Sequence, residues 1–213
     1  MRIACGVSFY QCKAELDRCL KSLQGADVVY AIDGKYVSYG DRNKTGLSDD
    51  GSREVCKRYP NVKLFDMPNT WQIHKRNKYL IEAAKENCDL ILVVDSDVWL
   101  EGDWNMFRQE LDKEVREEHG YRYIMEHYND KQGNKVKQHY GRILFRPELL
   151  HYAKTHGSIW VGNKRVIVRE GWVTVKGLIS YTDMKLRDEA RIRLGRSFKD
   201  ANQSAEARGL MNG

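Results

Sequence analysis

The sequence predicts an α/β fold with a mostly parallel central sheet flanked by helices. Strand-like apolar runs alternate with helically spaced segments over about 100 residues from the start of the chain. The most apolar run, Leu90 to Val94, is continuous rather than alternating, which suits a strand covered on both faces. Two of the runs stop at carboxylates, Asp33 and the Asp95/Asp97 pair, and open α/β sheets bind ligands beyond the carboxyl ends of their strands.

The elements follow in order. Arg2 to Phe9 is a short apolar run and a first strand. Cys12, Leu16, Cys19, Leu20 and Leu23 recur at helical spacing, giving one buried helix face that ends at Gly25. Ala26 to Ile32 is a second strand, ending at Asp33-Gly34. Residues 35–51 are polar and Gly-rich, a loop too long to be only a connection. Ser52 can cap a short helix through Tyr59, and Val62 to Met67 is a third strand. The next helix places Ile73, Leu80, Ile81 and Ala84 on one face, ahead of the strand Asp89 to Val94.

The second half changes character. Asp103 can cap a helix with Trp104, Phe107, Leu111 and Val115 on one face. Tyr121 to His127 and Arg142 to Arg146, around a Gly133-Asn134 turn, read as a hairpin. Ser158 to Val161 and Arg165 to Val175 offer further strand material. A basic helix starts near Asp183 and runs towards Phe198, and residues 200–213 read as a flexible tail. The expected organisation is thus an α/β half over residues 1–101, a smaller mixed β/α half over 102–199, and the tail.

Composition narrows the class. The 213 residues suit one domain, and 41% hydrophobic residues are enough for a packed core. No apolar run approaches the length of a membrane span. Met1 to Tyr10 reads as a strand rather than a signal peptide, so the expected compartment is the cytoplasm. Lys and Arg (36) exceed Asp and Glu (30), which favours an anionic partner. No two of Cys5, Cys12, Cys19, Cys56 and Cys88 are spaced as C-x-x-C, so they are expected to be buried thiols.

Asp95-x-Asp97 is the sharpest chemical signal. Two carboxylates at a strand end can share a hard divalent cation, Mn²⁺ or Mg²⁺, that bridges to phosphates. Such a cation stabilises a departing diphosphate. Asp33 is placed to hydrogen-bond a base or ribose, or else simply forms an Asp-Gly turn. Lys75 and Arg76 open the helix before the D-x-D strand, where cations oppose the macrodipole. Holding a diphosphate would account for them.

These motifs resemble the nucleotide-sugar-dependent glycosyltransferases of the GT-A fold, family 2-like. Val7-Ser8-Phe9-Tyr10-Gln11 followed by Leu16, Cys19-Leu20 and Ser22-Leu23 is similar to that family's opening strand and helix, although Ser8 and Gln11 replace its usual Pro and Asn. Leu92-Val93-Val94-Asp95-Ser96-Asp97 matches its D-x-D strand, and Arg76-Asn77 its preceding Arg-Asn pair. The resemblance implies a GT-A-like (Rossmann-like) sheet and a UDP-sugar or related donor held by Ser8, Tyr10, Asp33, Lys75, Arg76 and Asp95. Asp33 would contact the nucleobase, Asp97 would be the most direct metal ligand, and Asp95 would contact the ribose or the metal.

An inverting transfer, slightly favoured over a retaining one, needs a general base. Asp183 ranks first and His156 is a second candidate, with Glu126 and Glu170 behind them. Gly157 stands where the family often has Glu. Residues 131–169 carry nine Lys/Arg against one acidic residue, interleaved with aromatics. That pattern suits an anionic acceptor, with modified or single-stranded DNA among the options beside a saccharide or a lipid carrier. No integral membrane association is expected. The chain is short for this family, so a second subunit completing the acceptor site is one option. The alternatives are a phosphate-transfer enzyme, disfavoured by the lack of a Gly-rich loop after the first strand, and a catalytically inactive nucleotide- or nucleic-acid-binding module.

Overall fold

A computed structural model describes residues 1–37, 39, 43–113, 123–129, 138–139, 142–152, 159–161, 164–165 and 173–182. Its main sheet has five strands in the order β3-β2-β1-β4-β8. β1 (Ile3–Phe9), β2 (Val28–Asp33), β3 (Val62–Asp66) and β4 (Leu90–Asp95) run parallel, and β8 (Arg142–Phe145) runs antiparallel to β4. The helices α1 (Lys13–Ser22), α2 (Ser52–Lys57) and α3 (Gln72–Lys85) connect the parallel strands in turn. This is the GT-A-like α/β architecture that the sequence predicts.

The inner parallel strands form because their residues are apolar on both sides, while β3, at the sheet edge, is only partly buried. β2 is buried along its whole length, and β1 has only Ser8 partly accessible. On one face α1 lays Leu16, Cys19 and Leu20 against the sheet, each wholly buried. Each of the two leucines contributes about 1.5–3 kcal/mol through its removal from water. On the other face Tyr79 and Leu80 of α3 pack on Tyr30, Ile32 and Ile91. Gly6 allows this approach, since a Cβ there would come within 2.6 Å of the Tyr79 ring.

Several element boundaries differ from expectation. α1 ends at Ser22 with Leu23 as its C-cap, and Gly25 instead makes room for the Trp104 ring. Gly51, in the left-handed region at φ 93°, takes the N-cap of α2, and Ser52 becomes its first residue. The Ser52 hydroxyl turns back to accept from Cys12 N–H at 3.1 Å and to donate to Asp50 at 2.6 Å. In α3 the buried face is Lys75, Arg76, Tyr79, Leu80 and Ala83, so rotation by 100° per residue carries Ile81 outward, where it is 51% exposed. All five cysteines are buried free thiols, as expected.

The second half diverges further. β5 (Val98–Gly102), a strand the sequence did not suggest, follows the D-x-D turn and pairs antiparallel with β12 (Val173–Thr182). The expected hairpin is divided. β6 (Tyr123–Asn129) pairs with β7 (Gln138–His139), whereas Arg142–Phe145 leaves it to extend the main sheet beside β4. β6 also pairs with β12, so β5, β12, β6 and β7 form a second sheet. β9 (His151–Tyr152), β10 (Ile159–Val161) and β11 (Lys164–Arg165) form a third, so the strand material expected from Arg165 to Val175 belongs to two separate strands. α4 (Trp104–Lys113) begins as predicted, with Asp103 accepting from the N–H groups of Asn105 and Met106 at 2.7 and 3.2 Å. Phe107 and Leu111 are wholly buried. Val115, the helix expected near 183–198 and the tail from 200 lie outside the described residues.

Where β5 crosses β12, two glycines with positive φ meet: Gly102 at 139° and Gly177 at 107°. A Cβ on Gly102 would sit 1.9 Å from the Gly177 carbonyl oxygen. Gly102→Ala is therefore expected to lower stability by roughly 2 kcal/mol or more, from backbone strain together with the overlap. Chemical denaturation read by circular dichroism checks this, with the exposed Met106→Ala as the near-neutral control.

Candidate functional site

The strand order sets the position of the site. From β1 the chain steps outward to β2 and β3 on one side, then returns to place β4 on the other. The connections therefore diverge between β1 and β4, and a crevice opens there at the carboxyl ends. Across that gap Ser8 of β1 lies in register with Asp95 of β4. On the other side of β1, Phe9 is in register with Asp33, and Asp33 with Asp66 of β3. Carboxylates thus end three of the four parallel strands at one edge of the sheet.

Their environments differ sharply. Asp95 is exposed and Asp97 half-buried in the turn between β4 and β5. The Cys19 thiol pins that turn to α1 by donating to the Asp95 carbonyl at 3.8 Å. Asp33 has no exposed surface. Its carboxylate accepts from the Ser48 N–H at 3.1 and 3.3 Å, from the Ser48 hydroxyl at 2.7 Å and from Arg53 Nη1 at 2.8 Å. Arg53 also holds Asp66 with two bonds, at 2.7 and 3.2 Å.

Two cations of α3 lie behind the edge. Lys75 is fully buried; its Nζ donates to the Gly34 carbonyl and sits 4.4 Å from the centre of the Tyr36 ring. It makes no ion pair among the described residues. Burial lowers its pKa to about 7, against the opposing pull of Asp33. Arg76 is 5% exposed and lies over the Tyr152 ring at 5.4 Å. Burial works against its charge, but Tyr79, Tyr152 and Asp95 hold the guanidinium above its ordinary value. Asn77 ties this end of α3 to β9, donating to the Tyr152 carbonyl at 3.0 Å and accepting from its N–H at 2.6 Å.

Tyr10 packs against Tyr39, with ring centres 6.0 Å apart, and Tyr39 meets Tyr36 edge-on at 5.1 Å. Ser8, Tyr10, Asp33 and Asp95 thus share one edge of the sheet, with Asp97 in the turn that follows it and Lys75 beneath, under Tyr36. His156, Glu170 and Asp183 lie outside the described residues. Glu126 has a described backbone only, in β6 opposite Ile179 and His139. Sequence reasoning missed Ser48, Arg53 and Asp66. One signal was available for Asp66: it ends its strand as Asp33 and Asp95 end theirs.

The carboxylate pair fits a hard divalent cation in donor type, since Asp95 and Asp97 offer only oxygen. Among the described residues no group of three or more His, Cys, Asp or Glu side chains gathers as a metal site.

No protein-family model and no curated protein matches the chain. Among solved structures it is similar to TarS of S. aureus, at 17% identity and TM-score 0.46, over 88% of this chain and 29% of that one. A structure of TarS 1–349 gives 17% identity and 0.45, over 89% and 49%. The mannosyltransferase PcManGT from Pyrobaculum calidifontis, in complex with GDP-Man and Mn²⁺, gives 15% and 0.41, over 58% and 35%. The chain spans less than half the length of each.

Between about pH 7 and the ordinary lysine value of 10.5, the unfolded chain holds a proton that folded Lys75 has released. This group therefore makes stability rise with pH across that window, and its cost is fully present below it. Lys75→Met is expected to raise the ligand-free unfolding midpoint near neutral pH and to flatten the climb towards alkaline pH. Urea titrations of both proteins across the window test it.

Proposed function

We propose that the protein is a metal-dependent glycosyltransferase that moves a sugar from a nucleotide-diphosphate donor to an acceptor hydroxyl. The observation that carries this reading is the pairing of Asp95 and Asp97, at the β1/β4 crevice, with the buried cations Lys75 and Arg76 of α3. Acids facing outward and cations set behind them suit a ligand that is itself a metal–diphosphate. A bound Mn²⁺ or Mg²⁺ would neutralise charge on the departing diphosphate. Lys75, fully buried, would feel such a ligand only through its field, which favours the protonated form. Ser8 and Tyr10, at the end of β1, line the nucleoside side.

Transfer also requires that the acceptor hydroxyl lose its proton as the bond to the sugar forms. Asp183 is the first candidate for this base. It follows Thr182, whose backbone lies opposite Val98, the residue after Asp97. His156 is the second candidate. A single such base suits an inverting course, slightly favoured over a retaining one. The donor nucleotide to test first is UDP. The basic, aromatic-rich second half suits an anionic acceptor, with DNA among those to assay beside saccharides and lipid carriers. Among the described residues no helix is long and apolar enough to cross a membrane.

Thermal stabilisation by UDP-, GDP-, TDP- and CMP-sugars, each with and without Mn²⁺, is the direct test, because a ligand of the folded state raises the midpoint by mass action. A metal-dependent rise with one nucleotide class is expected. Asp97→Asn should keep the ligand-free midpoint, lose the metal-dependent rise and lower turnover by roughly 100-fold or more. No rise with any donor would favour a binding module without catalysis, and turnover unchanged in Asp97→Asn would displace the site.

A further inference from the structure

We infer that Asp33 is a positioning residue that holds the Tyr10–Gln11 corner in place through Ser48, and that it does not read the nucleobase. The inference rests on the donor-site reading above. Both carboxylate oxygens of Asp33 are engaged, Oδ1 by the Ser48 hydroxyl, Oδ2 by Arg53, and the two together by a shared Ser48 N–H. It has no exposed surface. A base N–H reaching it would have to displace one of these donors and leave that donor buried without a partner, which is costly.

What Asp33 holds is on the donor side. Gln11 ends the β1 corner at φ 50°, a left-handed conformation that a non-glycine residue keeps only when its surroundings enforce it. Its N–H donates to Ser48 Oγ at 3.0 Å, and the Ser48 hydroxyl donates onward to Asp33 Oδ1 at 2.7 Å. A hydroxyl has one proton, so the bond to Asp33 fixes the direction of the relay and turns the oxygen lone pairs towards Gln11. The Gln11 side chain adds a bond to Asp49 at 2.5 Å. Asp50 closes the same loop over α1 by accepting from the Lys13 N–H at 3.0 Å. Arg53 balances the Asp33 charge and joins it to Asp66 on the neighbouring strand. The carboxylate therefore shapes the corner that carries Tyr10, and selection of the base falls to other groups of the crevice.

The test uses the whole chain with Asp33→Asn, Ser48→Ala and Gln11→Gly. Binding of UDP, CDP and GDP, each with Mn²⁺, is measured by calorimetry, and ligand-free unfolding midpoints are recorded beside it. The relay predicts that Ser48→Ala and Asp33→Asn weaken every nucleotide the parent binds by a common factor, about tenfold, the weight of one charge-assisted hydrogen bond. Gln11→Gly, which takes the left-handed corner without strain, should restore most of that affinity in the Ser48→Ala background. The midpoint losses of Asp33→Asn and Ser48→Ala should be strongly non-additive. Ser48→Ala carries the binding arm alone where Asp33→Asn does not fold. The inference is overturned by a loss confined to uridine nucleotides in Asp33→Asn, by an inert Ser48→Ala, or by no rescue from Gln11→Gly. If the parent binds none of the three nucleotides, the donor-site reading fails, and additivity of the midpoints still decides the relay: additive losses overturn it.

Discussion

A charge with no exposed surface must be met inside the protein, and at Asp33 that requirement organises the open edge of the sheet. Moving an unpaired carboxylate into such a place would be prohibitive. The chain meets it with one loop and one helix. Ser48 brings the polar segment after β2 back across the strand end, and Arg53 brings α2 over it and reaches Asp66 on β3. The same loop supplies Asp50 to the first N–H of α1 and Ser52 to Cys12. Asp33 thus ties the β2 end to the β1 corner and to α2, and Asp50 and Ser52 of the same stretch hold the start of α1. Removing one partner of such a network leaves the rest uncompensated, so its members are coupled more tightly than their separate bonds suggest.

The other side of the crevice follows a different principle. Lys75 and Arg76 are placed by helix geometry on the buried face of α3, Lys75 against the Tyr36 ring and the Gly34 carbonyl and Arg76 over the Tyr152 ring. Asp95 and Asp97 remain accessible in a turn pinned by a weak thiol bond. The acid with a structural duty is sealed, and the acids suited to a metal are left open. Position at a strand end is shared by Asp33 and Asp95, and accessibility is what sets them apart.

Much of this was legible in the sequence where the signal was local. The order of strands and helices through Asp95 follows from the period of apolar residues, and the Asp103 cap from its place before an amphipathic run. The carboxylates at strand ends were also visible. What escaped depended on partners distant in the chain. Val98-Trp99-Leu100 is too short an apolar run to announce β5, which exists because β12 pairs with it from some 80 residues later. Arg142–Phe145 has the pattern of half a hairpin, yet its partner is β4. Ile81 sits outward because two cations and a tyrosine occupy the face that hydrophobicity alone would have given it. The burial of Asp33 could not be read from Asp-Gly, since Ser48 and Arg53 approach it from a loop and a helix with no sequence mark of that duty.

The placement of β8 bears on how the chain comes apart. The first segment lends β5 to the second sheet, and the later segment lends β8 to the main one, so each sheet contains a strand from the other half. A fragment stopped after Gly102 would leave the flank of β4 as a bare edge. Its row of unpaired N–H and C=O groups would run beside Ile91 and Leu92, both wholly buried in the intact protein. Such an edge invites another copy to dock strand to strand. The segment through Gly102 is therefore a poor candidate for separate expression, and the exchanged strands clasp the two sheets together.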